Sequence, residues 1–144
     1  MNLLISLPIL IAIGAFFHVL PGWPILTLPV LIGIQLLLTA AAALLLATFN
    51  VFFRDLQQLV IVLLNLTFYV SPIFYPITSV PHAFRPIVLA NPIVPIVLGY
   101  QNIFYYDRMP SASLTLYALA ASYVLFLCAR LAFNHYKDAF ADHI

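Results

Sequence analysis

The chain has 144 residues, of which 65% are hydrophobic and 6% are charged, and its formal net charge is +1. Soluble domains carry about 25% charged residues, so this composition excludes an ordinary water-soluble fold. The small net charge also excludes the basic surface on which nucleic-acid-binding proteins depend. Long apolar runs predict an all-α integral membrane protein, with residues 1–144 forming a single transmembrane domain.

Four segments of the chain approach the roughly 20 apolar residues that a membrane-spanning helix needs. They are Asn2–Leu20, Leu26–Phe49, Leu59–Tyr75 and Ser113–Phe133. Pro21–Pro24 predicts a tight turn after the first segment. The Arg54–Asp55 pair predicts a water-facing turn after the second, because a charge at the bilayer centre costs about 2.5–3.5 kcal/mol. This pair reads most simply as a solvated helix cap, and contact with a cytoplasmic partner is the alternative.

Segment His82–Tyr106 is apolar but is interrupted by prolines at positions 86, 92 and 95. An interior proline costs a helix about 3 kcal/mol and removes a backbone hydrogen bond. We therefore predict two short helices, Ala83–Ala90 and Ile93–Phe104, that enter the membrane and return to the same side. A spanning segment is the alternative, since lysine and arginine counts fit an inverted five-span model equally well.

The sequence contains no pattern typical of a catalytic, nucleotide-binding or metal site. No phosphate-binding Gly-x-x-x-x-Gly-Lys-Ser/Thr loop occurs, and the histidines and Cys128 lack the spacing of metal ligands. All four aspartates lie in predicted loops or in the tail, whereas proton-coupled carriers keep ionisable groups within their spans. We expect the chain to bind no cofactor, so energy for transport would come from another polypeptide.

Aromatic residues are concentrated around the end of the third segment and in the interrupted segment. They are Phe68, Tyr69, Phe74, Tyr75, Tyr100, Phe104, Tyr105 and Tyr106. Aromatic rings offer flat apolar faces for sugar C–H groups, and a path lined by them can hold a glycan through many weak contacts. The alternative is an interfacial belt or packing between helices. Gln35, Asn65 and Thr67 are expected to form hydrogen bonds between helices.

Several short motifs occur in a fixed order between positions 50 and 142. They are Asn50–Leu56 (Asn-Val-Phe-Phe-Arg-Asp-Leu), Ser71–Pro76 (Ser-Pro-Ile-Phe-Tyr-Pro), Val80–Pro81, Asn91–Ile93 and Phe140–Asp142. Together they resemble the type-2 ABC exporter permeases, in particular the branch that exports lipid-linked polysaccharide such as O-antigen, capsule or teichoic acid. Permeases for drugs or other small hydrophobic molecules, and a non-transporting membrane scaffold, are the alternatives.

The resemblance implies a six-span permease of the bacterial inner membrane that acts as a homodimer. This chain would supply spans three to six, with both of its termini cytoplasmic and with two N-terminal spans missing, as in a fragment. Separate ATP-binding subunits would use ATP and Mg²⁺. The substrate would be an undecaprenyl-linked glycan in the surrounding lipid.

The aromatic pattern and the resemblance together suggest roles for individual residues. The substrate path would be lined by Phe68, Tyr69, Phe74 and Tyr75. An outer gate within Ala83–Phe104 would include Arg85, Asn91, Pro92, Tyr100 and Phe104. The cytoplasmic mouth would be Arg54 and Asp55. No residue is expected to be catalytic or to bind a metal.

Overall fold

The computed structural model describes residues 22–53 and 55–141, with side chains to Tyr136. This part of the chain contains helices and turns without strands, which confirms the predicted all-α class. The helices are α1 (Leu28–Asn50), α2 (Leu56–Val70), α3 (Arg85–Ala90), α4 (Ile93–Phe104) and α5 (Ala112–Ala141), with short 3₁₀ helices at Trp23–Thr27 and Ile77–Ser79. The first predicted span, Asn2–Leu20, and Arg54 lie outside the described residues.

Helices α1 and α5 pack side by side along most of their length and run in the same direction. At one end, Thr27 before α1 and Ala112 at the start of α5 line a common groove. At the other end, the rings of Phe52 and Tyr136 meet edge to face at 5.1 Å. We name the end with Thr27 and Ala112 the α1-start end.

Small residues let α1 and α5 approach closely. Ala118, Ser122 and Ala129 of α5 are buried, at spacings of four and seven residues, and Ala41 of α1 is fully buried. Small side chains at a helix contact allow the van der Waals packing that holds helices together in lipid. The Ser122 hydroxyl donates to the Ala118 carbonyl at 2.7 Å, so its burial leaves no unpaired donor.

Helix α4 lies against both long helices and runs antiparallel to the beginning of α1. Ile96 packs in a cluster with Ile34, Leu38 and Ala118, and Ile103 packs with Leu28 and Leu31. A methyl group added at Gly99 would lie 2.8 Å from Leu31 Cδ1, so the absence of a side chain at Gly99 permits this contact. The α4 start is thus about ten α1 residues, or about 15 Å, from the α1-start end.

The predicted pair of short helices is present, with a break at Asn91-Pro92. Helix α4 has the predicted bounds, and α3 begins at Arg85 instead of Ala83. The Asn91 side chain accepts a hydrogen bond from the Ile93 amide at 3.0 Å, which satisfies one of the free amides at the start of α4. The Tyr117 hydroxyl of α5 donates to the Ala90 carbonyl at the end of α3.

Helix α2 ends before its predicted end, whereas α5 extends beyond the predicted Phe133 to Ala141. Helix α2 ends at Val70, not at Tyr75, because Ser71 is extended (ψ 137°) as the residue before a proline tends to be. None of its 15 residues is buried within the described chain. Two helical stretches are long and apolar enough to cross a membrane, Trp23–Asn50 and Ala112–Tyr136, while α2 is shorter. The four-span count therefore stays a prediction.

Candidate functional site

Helix α2 carries a polar stripe on one side. Its polar members are Gln58, Asn65 and Tyr69, and Val62 lies between the two amides; spacings of four, three and four residues place all four on a single face of a helix. All four are exposed. The side-chain amides of Gln58 and Asn65 have no hydrogen-bond partner in the part of the chain that the structure describes. The stripe offers hydrogen-bonding groups over about 16 Å of helix.

The neighbouring side of α2, about 100° around the helix, is purely aliphatic. Leu59, Leu63, Leu66 and Val70 form it at the same spacings of four, three and four residues, and all are exposed. Lipid tails solvate such side chains without cost, whereas unpaired amides in hydrocarbon cost several kcal/mol. The two stripes therefore suit different surroundings, lipid tails on the aliphatic side and hydrogen-bonding groups on the other.

The aromatic residues predicted to line a path partly gather at the end of α2. The ring of Phe68 meets Tyr69 at 5.8 Å and Phe74 at 5.3 Å, both edge to face. Tyr69 and Phe74 are 72% and 77% exposed, so these rings present faces to their surroundings and do not fill a core. Phe68 lies between them, and the three rings extend the polar stripe beyond Val70.

Beyond this cluster, an aromatic pocket of about 340 Å³ opens near the α1-start end. Its wall is formed by Ile73, Phe74, Tyr75, Pro76, Gln101, Tyr105 and Tyr106. The rings of Tyr105 and Tyr106 lie edge to face at 4.8 Å. Rings with a few hydrogen-bonding groups are typical of sites that bind small organic molecules.

Two hydrogen bonds fix the wall of the aromatic pocket. The Tyr75 hydroxyl donates to the Val70 carbonyl at 2.7 Å, which folds the Ser71–Pro76 turn back onto the end of α2. Gln101 Nε2 donates to the Pro72 carbonyl at 2.6 Å, which ties the same turn to α4. Tyr75 is half-buried, so its hydroxyl stabilises the turn and its ring contributes to the pocket.

The residues assigned to the outer gate occupy three different places. Tyr100 and Phe104 face α1, where the Tyr100 hydroxyl donates to Gln35 Oε1 at 2.7 Å and Phe104 packs on the cluster around Leu31. Asn91 and Pro92 form the break between the short helices. The structure thus places Tyr100 and Phe104 against α1, at a distance from the break between the short helices.

Arg85 holds the loop that precedes α3. Its Nε donates to the Val80 carbonyl at 2.9 Å and its Nη2 to the Thr78 carbonyl at 3.0 Å. Both acceptors belong to the turn around the Ile77–Ser79 helix. The guanidinium group therefore has a structural task in this loop, a role that the sequence pattern alone does not indicate.

The predicted cytoplasmic mouth is described only in part. Asp55 is the exposed residue before α2 and forms no side-chain hydrogen bond to the helix start. With Gln57, Gln58 and Ile61 it lines a shallow polar depression of about 290 Å³. This depression lies at the foot of the polar stripe, at the opposite end from the aromatic pocket. Arg54 lies outside the described residues.

Sequence reasoning missed the amides that contribute to these surfaces. Gln58 carries no prediction and Asn65 only that of an interhelical contact, although their spacing of seven residues places both on the Tyr69 face. The expected interhelical role is met by Gln35 through Tyr100. Gln101 carried no distinguishing signal, because its partner carbonyl is 29 residues away. Among the described residues, no three His, Cys, Asp or Glu side chains cluster as metal ligands.

The comparison with protein families is decisive. Residues 1–105 match the family model described as ABC-2 type transporter. The chain belongs to the ABC-2 type transporter family. This confirms the family that the motifs predict.

Curated relatives of this ABC-2 family chain carry a common name. An O-antigen export system permease protein RfbA from Myxococcus xanthus is 37% identical over 145 aligned positions, covering 99% of this chain and 56% of the relative. A Klebsiella pneumoniae protein of the same name is 25% identical over 146 positions, covering 99% and 55%. The chain therefore spans about half the length of the curated relatives it matches.

Proposed function

We propose that this chain forms part of the membrane permease of an ATP-driven exporter of lipid-linked polysaccharide in a bacterial inner membrane. The observation that carries the proposal is the continuous surface from Gln58 through Asn65 and Tyr69 to the aromatic pocket. The names of the relatives from Myxococcus xanthus and Klebsiella pneumoniae support the substrate class. The glycan is expected to be attached to an undecaprenyl lipid.

The chemistry of this surface suits a sugar chain. Sugar hydroxyls exchange hydrogen bonds with the amides of Gln58 and Asn65, and their C–H faces stack on Tyr69 and Phe74. Several weak contacts in series allow a polymer to slide, because no single contact forms a deep energy minimum. A path for small hydrophobic drugs would not need the exposed amides of Gln58 and Asn65, so this feature favours glycan over the drug alternative.

The arrangement of the helices supports a topology with four spans and a re-entrant pair. Helices α1 and α5 run in the same direction. With α2 crossing back between them in this topology, the segment from α2 to α5 starts and ends at the α1-start end. The start of α4 lies about 15 Å below that side, half the thickness of a hydrocarbon core. We assign the α1-start side to the outside, where α3 and α4 form the outer gate with Arg85, Asn91, Pro92, Tyr100 and Phe104.

Partners complete the proposed transporter. The polar stripe of α2 forms one wall, and a second copy of the permease would supply the opposite wall of a closed path. A separate ATP-binding subunit, which holds ATP and Mg²⁺, would act at the cytoplasmic mouth near Arg54 and Asp55. Both termini of this chain then lie in the cytoplasm, and the chain itself needs no cofactor.

The test uses the complete permease that contains this chain, together with its ATP-binding subunit. Asn65→Leu and Tyr69→Ala are compared with Leu66→Ala, which changes the adjacent aliphatic stripe. Loss of one hydrogen bond, about 0.5–1.5 kcal/mol, predicts up to about tenfold less surface glycan for Asn65→Leu at normal protein level. Full export by both Asn65→Leu and Tyr69→Ala would refute the path. ATPase stimulation by a hydrophobic drug, but not by lipid-linked glycan, would favour the drug alternative.

A further inference from the structure

A groove of about 360 Å³ lies between α1 and α5 at the α1-start end, on the outer side of the proposed topology. Its wall is formed by Thr27, Val30, Leu31, Pro110, Ala112, Thr115 and Leu116. It is separate from the aromatic pocket, with which it shares no residue. The polysaccharide path and the gate do not use it.

The polar atoms of this groove are already paired within the chain. The Thr27 hydroxyl donates to the Pro24 carbonyl at 2.7 Å, and the Thr115 hydroxyl donates to the Ser111 carbonyl at 2.9 Å. Neither threonine hydroxyl is therefore a free donor for a molecule in the groove, which is otherwise lined by apolar residues such as Val30 and Leu116. A wall of methyl and methylene groups without free donors suits an acyl chain and offers nothing to a sugar hydroxyl.

A cation lies close to the groove residues in the chain. Arg108 is exposed, two residues before the groove residue Pro110, and its guanidinium has no acceptor in the part of the chain that the structure describes. Two contacts hold its loop in place. The Arg108 amide donates to the Asn102 carbonyl at 2.8 Å, and Asp107 Oδ1 accepts from the Gly22 amide at 2.7 Å.

We propose that the groove holds one acyl chain of an anionic phospholipid whose phosphate pairs with Arg108. Acyl contacts alone give no preference over bulk lipid, since lipid tails are as apolar as the groove. Selection for an anionic headgroup therefore rests on the Arg108 guanidinium, which is suited to bidentate phosphate binding. Trp23, 80% exposed at the same end, marks the depth at which headgroups lie.

The experiment measures bound lipid on the complete permease in nanodiscs of mixed phosphatidylglycerol and phosphatidylethanolamine. Native mass spectrometry gives the ratio of the two lipids retained on the protein. Arg108→Gln is expected to lower the enrichment of phosphatidylglycerol about fivefold, the effect of one basic residue beside an anionic lipid. Arg130→Gln, which removes an exposed cation near the far end of α5, is the matched control and should leave the enrichment unchanged.

A second pair of variants tests the groove itself. Ala112→Phe fills the groove from its edge and is expected to reduce retained phosphatidylglycerol, whereas Ala120→Phe changes an exposed α5 residue outside the groove. Unchanged enrichment in Arg108→Gln, or an equal loss in Arg130→Gln, overturns the headgroup assignment. Unchanged retention of phosphatidylglycerol in Ala112→Phe overturns the assignment of the groove as the acyl-chain site. These readouts do not depend on glycan export, so the proposal can fail or hold independently of the proposed function.

Discussion

The Tyr100 hydroxyl of α4 donates a hydrogen bond to Gln35 Oε1 of α1 at 2.7 Å, across 65 residues of sequence. Next to it, Gly99 lets α4 approach Leu31 of α1. The two contacts attach α4 to a long helix, and α5 supports both through Ala118. Helices α1, α4 and α5 therefore form one packed unit, and α2 joins it through the turns at its two ends and the Gln101 contact to Pro72.

The first prediction concerns this hydrogen bond. Tyr100→Phe and Gln35→Leu should each lower the stability of the complete permease in detergent, by about 0.5–1.5 kcal/mol. Because each change removes the same bond, the double variant should be less destabilised than the sum, with a coupling energy of about 0.6 kcal/mol or more. Thermal unfolding of the four proteins measures this. Strictly additive effects would contradict a direct bond.

The second prediction compares two glycines in helices. Gly99→Ala should lower the free energy of unfolding of the permease by about 1–3 kcal/mol, because the new methyl group overlaps the buried side chain of Leu31. Gly33→Ala is the control. A Cβ there meets nothing within 4 Å, so the better helix propensity of alanine should stabilise by up to about 1 kcal/mol. Unfolding midpoints measured side by side should shift in opposite directions, and a shared sign would argue against the close α1–α4 contact.

The third prediction concerns the loop before α3. Arg85→Ala removes the donors that hold the Thr78 and Val80 carbonyls, so the Ile77–Ser79 turn should open more often. Loss of about 1–2 kcal/mol of local stability predicts roughly tenfold faster amide exchange at Ser79 and Val80. Arg130→Ala, a change of the same kind on α5, should leave this exchange unaltered. Wild-type protection in Arg85→Ala would show that the guanidinium does not hold the turn.

The fourth prediction concerns the contact between Asp107 and the Gly22 amide. Asp107 has a φ of 48°, a left-handed conformation that Asn tolerates and Ala does not favour. Asp107→Asn keeps both the acceptor and this conformation and should behave like the wild type. Asp107→Ala loses both and should lower the local stability of this contact by about 1–2 kcal/mol. The loss should appear as faster amide exchange over residues 22–27. Equal exchange in the two variants would count against the contact.

Local signals explain why part of the fold could be predicted from the sequence. The prolines at 92 and 95 and the capping side chain of Asn91 set the start of α4 within a few residues, so its bounds were correct. Ser71-Pro72 likewise indicates a helix boundary. The apolar residues that continue to Tyr75 favour a longer helix instead. The predicted end of α2 at Tyr75 was therefore wrong by five residues.

The candidate site was less accessible to sequence reasoning. The aromatic residues near α2 were found because they cluster in sequence, but Gln101 reaches the same wall from α4 and could not be assigned. Arg85 and Tyr100 are predicted from the sequence to belong to the outer gate. Their side-chain partners, two loop carbonyls and Gln35, depend on how the chain folds back on itself.

The sequence by itself determined the membrane environment, the all-helical class and the family, because hydropathy, proline positions and ordered motifs are properties of adjacent residues. The tertiary structure alone decided that α1 and α5 run in parallel, that α4 attaches to α1 through Gly99 and Tyr100, and that Gln101 joins the turn after α2 to α4. These features arise from packing between residues distant in the chain, where small side chains and paired polar groups determine which helix faces can meet.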